Sequence, residues 1–465
     1  MKRLFYTLLF FLPCMLIACG GSDDTPDGDN NPPVVAPPSE EPVDSRLLYN
    51  GIRLPEQWPP VRSSSSELEK GMSPFYLSDK PSVINISVGR QLFVDNFLIE
   101  STNLKRTFYY PEYYSGNPIL TPEQDWEKTG TKGAAFAAPF SDGVWYDEKE
   151  GKYKMWYMAG GGSYATSGAG VTCYAESTDG IHWTKPTLPV VAGTNIVDYN
   201  SERDASVIWL DKQESNASKR YKMFLVARES GKWRYHYKTS PDGKVWRAAV
   251  QSEPIADRST VYKNPFRNVW VYSMRHNVRV DANKLVRARD YNENADPEAG
   301  TKKAEALLSA FWFGPWANEQ HHTDYPNIAP AIYNQDATPY ESIMLGFFSV
   351  WQGPENDVCA SDNVIKRNQV MVGYSRDGYS WFREDMNPFH AVNTTTSDAW
   401  NQGNLQSVAG APLIVGDKLY FYLSGRRLRG TQEITTTGLA MLRRDGFASM
   451  KGTGELQTSL LKFDG

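Results

Sequence analysis

Short apolar stretches recur along the chain, each followed after a few polar residues by a second stretch rich in aromatic residues. Both members of each pair are alternating or fully apolar, which is typical of two strands joined by a turn. Helical periodicity is scarce, and residues 302–311 are the only stretch that it predicts as a helix. The five predicted hairpins are 144–146 with 153–157, 207–209 with 221–224, 260–262 with 269–272, 331–333 with 343–348, and 412–415 with 419–423.

The motif Ser-x-Asp-Gly-x-x-Trp occurs three times, beginning at Ser177, Ser240 and Ser375. Asp-Gly tolerates the positive φ of a tight turn, and the Trp begins the returning strand. The copies are 63 and 135 residues apart, close to one and two periods of about 65 residues, and such periods indicate solenoids or propellers. We therefore interpret the aspartates of the motif as structural residues of outer turns: Asp179, Asp242 and Asp377.

Five hairpin units predict an all-β fold, a five-bladed β-propeller over residues 135–465. The aromatic content of 13% suits β-sheet surfaces and sugar-stacking clefts. Residues 46–134 are then a lead-in segment that packs on the propeller, with residues 91–99 as the best candidate for a closing strand. A pair of β-sandwiches is the alternative architecture.

The first 19 residues have a basic start and an apolar run that is short for a membrane span, as in a signal peptide. The run ends in Leu16-Ile17-Ala18-Cys19, which resembles the lipobox of bacterial lipoproteins, and residues 22–24 resemble the acidic export tag of surface lipoproteins in Bacteroidetes-like bacteria. That resemblance implies lipidation of Cys19 and an anchor in the outer membrane, facing the surface or the periplasm. Residues 20–45 contain six Pro and no Lys or Arg, which predicts a disordered acidic tether. An ordinary signal peptide with a stray Cys is the alternative.

Charge and cysteine content narrow the function classes. The whole chain carries −5, the first 19 residues +2 and residues 20–45 −7, so residues 46–465 are neutral. A neutral body argues against nucleic acid as a partner. Cys173 and Cys359 remain in the body, and a disulfide between them is left open.

Three aspartates stand two to four residues ahead of the first strand of consecutive hairpins: Asp142, Asp204 and Asp257. In a propeller such residues line one axial funnel. Carboxylates that converge there could cleave a glycosidic bond, provided that their environments push their pKa values apart. The alternative for each aspartate is a turn or cap residue that binds its own backbone.

Other residues near the predicted funnel are candidates for holding sugar hydroxyl groups. Glu341 lies within an apolar strand pair, where it is either catalytic or structurally paired. A third ligand at metal spacing is missing beside His321 and His322, so we predict no metal site and no cofactor, with a structural Ca²⁺ left open. The candidate substrate-binding residues are Arg203, Arg275, His321, His322, Asp324, Asn404 and Gln406.

Several segments resemble glycoside hydrolase families 32, 43 and 130, which are five-bladed propellers. They are residues 117–122 with 125–127, 141–147, 151–157, and Arg203-Asp204-Ala205, which is similar to an Arg-Asp-Pro motif with Ala in place of Pro. The resemblance implies Asp142 as base or nucleophile, and Asp204, oriented by Arg203, as a stabiliser of the transition state. It also implies a Glu in the third blade as the general acid. At the matching site the chain has only Asp257, with Glu253 and Glu341 as substitutes.

These observations predict a lipid-anchored glycoside hydrolase that acts on a poly- or oligosaccharide. A glycan-binding lipoprotein without catalysis is the first alternative. The second is a glycoside phosphorylase, for which Arg275, Arg279 and Arg287 could form the phosphate pocket.

Overall fold

A computed structural model describes residues 44–128, 134–165, 170–199, 202–281, 284–305, 309–396 and 398–464. The predicted signal peptide, Cys19 and all but the last two residues of the predicted tether lie outside the described residues. The described part of the chain is mostly β-structure, as the sequence predicts. It contains no helix with the length and apolar character that crossing a membrane requires.

The lead-in segment pairs with the end of the chain. β1 pairs with β27 in parallel, β2 with β26 and β3 with β25 in antiparallel fashion, and β4 pairs with β24. Its elements are α1 (Ser64–Glu67), β1 (Val83–Asn85), β2 (Ile99–Thr102), β3 (Lys105–Phe108), β4 (Glu112–Tyr113) and α2 (Asp125–Lys128); the chain-terminal strands are β25 (Ala448–Lys451), β26 (Leu456–Thr458) and β27 (Leu460–Lys462).

All five predicted hairpins are present; their strands are longer than predicted, except the first strand of the last hairpin, which covers residues 413–415 instead of 412–415. The first three units comprise β5 (Ala135–Ala138), β6 (Val144–Asp147), β7 (Lys152–Ala159), β8 (Val171–Ser177) and β9 (Ile196–Asp198); β10 (Glu202–Leu210), β11 (Tyr221–Glu229), β12 (Lys232–Ser240) and β13 (Arg247–Gln251); and β14 (Thr260–Asn264), β15 (Val269–Arg279), β16 (Leu285–Asn294), α3 (Pro297–Lys303) and β17 (Ala310–Phe313). The last two comprise β18 (Ala331–Tyr340), β19 (Ile343–Gly353), α4 (Asn356–Asp362) and β20 (Arg367–Ser375); and β21 (Asn404–Val408), β22 (Leu413–Val415), β23 (Lys418–Arg429) and β24 (Gln432–Arg443).

The second and third units are separate four-stranded antiparallel sheets, whereas the fourth, fifth and first units form one continuous sheet. Two strands join those three units: β21 pairs with both β20 and β23, and β5 pairs with both β24 and β7. Strands of successive units are neighbours: β10 contacts β14, β14 contacts β18, β18 contacts β21, and β22 contacts β6. The amide of Ile208 donates to the carbonyl of Asp142, which joins the first unit to the second.

The Ser-x-Asp-Gly-x-x-Trp turns connect neighbouring units. In each turn the aspartate accepts two backbone N–H groups, so Asp179, Asp242 and Asp377 have the structural role that the sequence predicts. The glycine carbonyl that follows accepts a hydrogen bond from an aromatic side chain of another unit. These pairs are Trp156 with Gly243 at 2.6 Å, Tyr262 with Gly378 at 3.1 Å and Tyr422 with Gly180 at 2.8 Å.

Two local predictions were wrong. Residues 91–98 are irregular, and only Ile99 belongs to a strand, because Asp95 turns inward to a buried partner instead of facing a sheet. The helix predicted at 302–311 lies earlier, at Pro297–Lys303, where Asp296 caps it by accepting the amide of Ala299. Ala310 and Phe311 begin β17 instead.

A buried ion pair attaches the lead-in segment to the fourth unit. Arg376 Nη2 lies 2.8 Å from Asp95 Oδ1, and the two side chains are 1% and 0% exposed. The backbone is held nearby, because the side-chain amide of Asn50 donates to the carbonyl of Arg376.

Replacing Asp95→Asn should destabilise the protein by about 3–5 kcal/mol, because it leaves the Arg376 guanidinium buried without a counter-charge. Urea unfolding at neutral pH measures the effect. The matched control is Glu69→Gln, which removes a pair with Lys284 between exposed side chains and should cost about 0–1 kcal/mol. Equal losses in the two variants would contradict this interpretation of the ion pair.

Candidate active site

Asp142 lies in the short connection between β5 and β6, where its side chain is fully buried. Its Oδ1 is 2.7 Å from Arg203 Nη2, and its Oδ2 has no hydrogen-bond partner among the described residues. Burial raises the pKa of Asp142, and the charge of Arg203 opposes that shift. A buried carboxylate with one oxygen left over is suited to bind a water molecule or a substrate atom.

Arg203 and Arg258 each form an ion pair with one of the first two aspartates. Arg203, on β10, donates to Thr172 Oγ1 at 2.6 Å as well as to Asp142. The carboxylate of Asp204 instead accepts the backbone amide of Arg258 at 2.7 Å and pairs with its Nη2 at 3.0 Å. Arg203 therefore orients Asp142, and Arg258 orients Asp204, which corrects the expectation that Arg203 orients Asp204.

The Arg258 guanidinium lies among side chains from four hairpin units. It stands 5.1 Å from the ring centroid of Phe140 and 5.7 Å from that of Tyr333. Gln406, with its amide oxygen oriented towards Arg258, accepts from Nη1 at 2.7 Å. Arg258 thus connects Asp204 to side chains that surround Phe140, two residues before Asp142.

Asp336 is a further carboxylate in this region that the sequence pattern did not single out. It lies on β18, and its Oδ2 accepts Asn334 Nδ2 at 3.0 Å and the amide of Val408 at 3.2 Å. The same Asn334 amide reaches Ser141 Oγ at 3.3 Å, next to Asp142 in the chain. Burial raises the pKa of Asp336 to about 7, since no cation pairs with it among the described residues.

The other predicted polar residues divide into two groups. Asp257, which directly precedes Arg258 in the chain, forms an ion pair with Arg275. Asn404 donates to the carbonyl of Lys366 at 3.0 Å. The loop of His321, His322 and Asp324 forms hydrogen bonds within itself. There His321 Nδ1 faces the carbonyl of Pro326 at 2.9 Å, and His322 Nδ1 accepts the amide of Asp324 at 3.0 Å.

Glu341 is not part of this cluster. It lies in the turn between β18 and β19, where Oε1 is 2.7 Å from Arg90 Nη2 and Oε2 accepts the amide of Arg90 at 2.9 Å. Five residues of extended strand separate it from Asp336, which is about 17 Å. The geometry therefore favours structural pairing for Glu341 and corrects the catalytic alternative.

Metal ligands and thiols add nothing to the cluster. Within the described ranges, no group of three His, Cys, Asp or Glu side chains could hold a metal ion. Cys173 is buried, Cys359 is partly exposed, and both are free thiols, so the disulfide that was left open does not form in this structure.

Comparison with known proteins gives structural neighbours only. No protein-family model and no curated protein matches the sequence. Among solved structures, a glycoside hydrolase has a TM-score of 0.44 at 12% identity, over 73% of this chain and 92% of its own. A glycosyl hydrolase from Bacteroides ovatus has 0.41 at 13%, over 74% and 97%.

A third neighbour is described under the family GH130 of mannoside phosphorylases, which contains glycoside hydrolases that target β-1,2 mannosidic linkages in Candida mannan. It has a TM-score of 0.40 at 13% identity, over 74% of this chain and 97% of its own. Because all three TM-scores lie below 0.5, the functional argument rests on the side chains of this protein.

The raised pKa of Asp336 predicts a pH-dependent stability. An Asp in an unfolded chain titrates near pH ~3.9, against about 7 in the folded protein. Between these two pKa values the native state therefore holds a proton that the unfolded chain has lost. The resulting stabilisation is complete below the pKa of the unfolded chain and is lost as pH rises through the pKa of the native state.

Asp336→Asn keeps a neutral side chain at every pH. The unfolding free energy of the wild type should therefore fall relative to this variant by about 1–3 kcal/mol between pH 5 and 8. Urea denaturation across that range measures the difference, with the exposed Asp324→Asn as the control. Parallel curves for the wild type and Asp336→Asn would show that the carboxyl is ionised throughout.

Proposed function

We propose that the protein is a glycosidase that hydrolyses a glycosidic bond of a poly- or oligosaccharide. The observation that carries this proposal is the pair of buried carboxyl groups, Asp142 and Asp336, which have unlike environments and are linked through Asn334 and Ser141. Glycoside hydrolysis requires one carboxyl that donates a proton and one that is ionised.

The proposed architecture is the five-bladed β-propeller. Its support is the series of contacts between strands of neighbouring units, from β10 to β14, β18 and β21 and from β22 to β6, together with the Ile208 amide that joins the second unit to Asp142 of the first. In such a ring, residues just before or within these strands share one axial region. Asp142, Asp204, Arg258, Asp336 and Gln406 all have such positions.

In the proposed reaction, Asp336 is the general acid, because a pKa of about 7 keeps a large protonated fraction near neutral pH. It donates its proton to the oxygen of the departing sugar as the glycosidic bond breaks. Asp142, whose Oδ1 is paired with Arg203, acts as the base or nucleophile at the anomeric carbon. Asp204, held by Arg258, stabilises the positive charge that develops on the sugar ring.

Two other candidates for the acid fit less well. Asp257 is engaged in an ion pair with Arg275, and Glu341 lies at the Arg90 site. The same contacts weigh against phosphorolysis. Of the three arginines considered for phosphate, Arg275 is paired with Asp257.

Leaving-group dependence tests the assignment of the acid. Asp336→Asn should slow hydrolysis of an oligosaccharide by about 10²–10⁴-fold, because the departing sugar then leaves unprotonated. Aryl glycosides with a dinitrophenol leaving group need no such proton, so their hydrolysis should be nearly unaffected. Asp142→Asn should slow both substrate classes alike.

Steady-state rates on a panel of dinitrophenyl glycosides and the matching oligosaccharides measure these effects. The control is Asp179→Asn in an outer turn, which should keep wild-type rates. Wild-type rates for Asp142→Asn, or equal losses on both substrate classes for Asp336→Asn, would refute the catalytic roles of these two aspartates.

We also propose that a lipid on Cys19 anchors the protein in the outer membrane, with residues 20–45 as a spacer. The support is the lipobox-like sequence before Cys19, together with the absence of Lys and Arg from the spacer. Two or more acyl chains bind a membrane firmly, whereas one alone binds weakly.

Replacing Cys19→Ser should move the protein from the membrane fraction to the soluble fraction of the producing cell, because the acyl chains then have no thiol to join. Immunoblots of the two fractions measure the distribution, and Cys359→Ser is the matched control. Unchanged fractionation of Cys19→Ser would contradict the anchor.

A further inference from the structure

Three cations surround the ring of Tyr333, which lies near the start of β18. The charged groups of Arg258, Arg287 and Lys366 lie 5.7, 5.8 and 5.8 Å from its centroid. They come from three separate segments of the chain, so their convergence is a product of the fold. Burial alone would raise the pKa of Tyr333, yet the charges of Lys366 and Arg258 outweigh it and lower that pKa.

Acidic partners compensate these cations unequally. Arg258 is paired with Asp204. Arg287 has only the long contact to Glu355, whose side chain is 55% exposed, and its Nε has no hydrogen-bond partner within the described ranges. Lys366 has no carboxylate within ion-pair distance in the part of the chain that the structure describes. Positive charge is therefore left over at Tyr333, on the side of Lys366 and Arg287.

Unpaired amides lie next to Lys366. Asn404, which donates to the Lys366 carbonyl, has a free Oδ1, and Asn368, aligned with Asn404 in the sheet, has neither side-chain polar atom bonded to any described residue. Both side chains are fully buried. Lys366 also lines a surface cavity of about 430 Å³, in which Arg426 and Glu433 pair with each other at 3.0 Å and leave the Lys366 ammonium as the uncompensated charge among the described lining residues.

We propose that Lys366 and Arg287 at Tyr333 bind an acidic group of the sugar substrate, so that the enzyme acts on an anionic glycan. Lys and Arg donate charge-assisted hydrogen bonds to carboxylates and sulfates. The neighbouring unpaired amides are suited to the hydroxyl groups of the same sugar. Arg258 connects this subsite to the catalytic cluster through Asp204, and the inference rests on the proposed glycosidase function.

Matched polysaccharide pairs test this subsite. One pair is polygalacturonate with its methyl ester, and the other is a sulfated galactan with its desulfated form; inorganic phosphate is a separate probe. Binding is measured by affinity gel electrophoresis with Asp142→Asn as the host protein, so that cleavage does not consume the ligand.

The acidic member of at least one pair should bind about tenfold or more tightly than its neutralised form, and added salt should weaken it. The pair in which the acidic member binds more tightly indicates whether the subsite binds a carboxylate or a sulfate. Lys366→Met should remove that difference and leave binding of the neutral member unchanged. Lys418→Met is the matched control. Lys418 begins β23 and lies eight residues, roughly 27 Å of extended strand, from Arg426, which lines the same cavity as Lys366.

Equal binding of both members in every pair, no binding of any acidic member, or no effect of Lys366→Met would overturn the proposal. Binding of inorganic phosphate that depends on Lys366, without preference for an acidic glycan, would also overturn it and assign the site to phosphate. The catalytic proposal fails separately: if Asp142→Asn cleaves bound glycan at the wild-type rate, the enzyme roles are wrong, whatever the binding result.

Discussion

The guanidinium of Arg258 is the group on which the polar centre depends. It pairs with Asp204, donates to the amide oxygen of Gln406 and faces the rings of Phe140 and Tyr333. A buried cation of this kind is stable only when several acceptors and ring faces surround it, because its desolvation is costly. Its backbone has a φ of 55°, an uncommon value for a residue with a side chain. The surrounding units thus impose the position of Arg258.

The carboxyl groups around this cation differ because their partners differ. Asp142 has an arginine and lies fully out of water, Asp204 has the backbone and side chain of Arg258, and Asp336 has only amides. Burial raises the pKa of both Asp142 and Asp336, and a directly paired arginine opposes that shift at Asp142. This inequality among carboxyl groups makes acid and base roles at one pH physically reasonable.

The sequence predicted the local structure well, since a hairpin is encoded by an apolar pattern and its turn residues. The five hairpins and the roles of Asp179, Asp242 and Asp377 follow from residues within about ten positions of each other. The sequence singled out Asp142 and Arg203 because they stand just before a recognisable apolar run. It did not single out Asp336, because this residue lies inside a strand and its amide partners depend on contacts between β18 and residues 141 and 408. The strand predicted at 91–99 failed for a similar reason, since the Arg376 that draws Asp95 inward is far along the chain.

The pairing of β1, β2 and β3 with β27, β26 and β25 has a consequence for how the protein is made. Because a polypeptide is synthesised from its amino end, these early strands stay unpaired until residues 448–462 have been made. Until then their edges are open to other chains and to chaperones. Residues 448–462 thus complete the pairing of the lead-in segment. A chain that lacked them would leave β1, β2 and β3 without their partner strands.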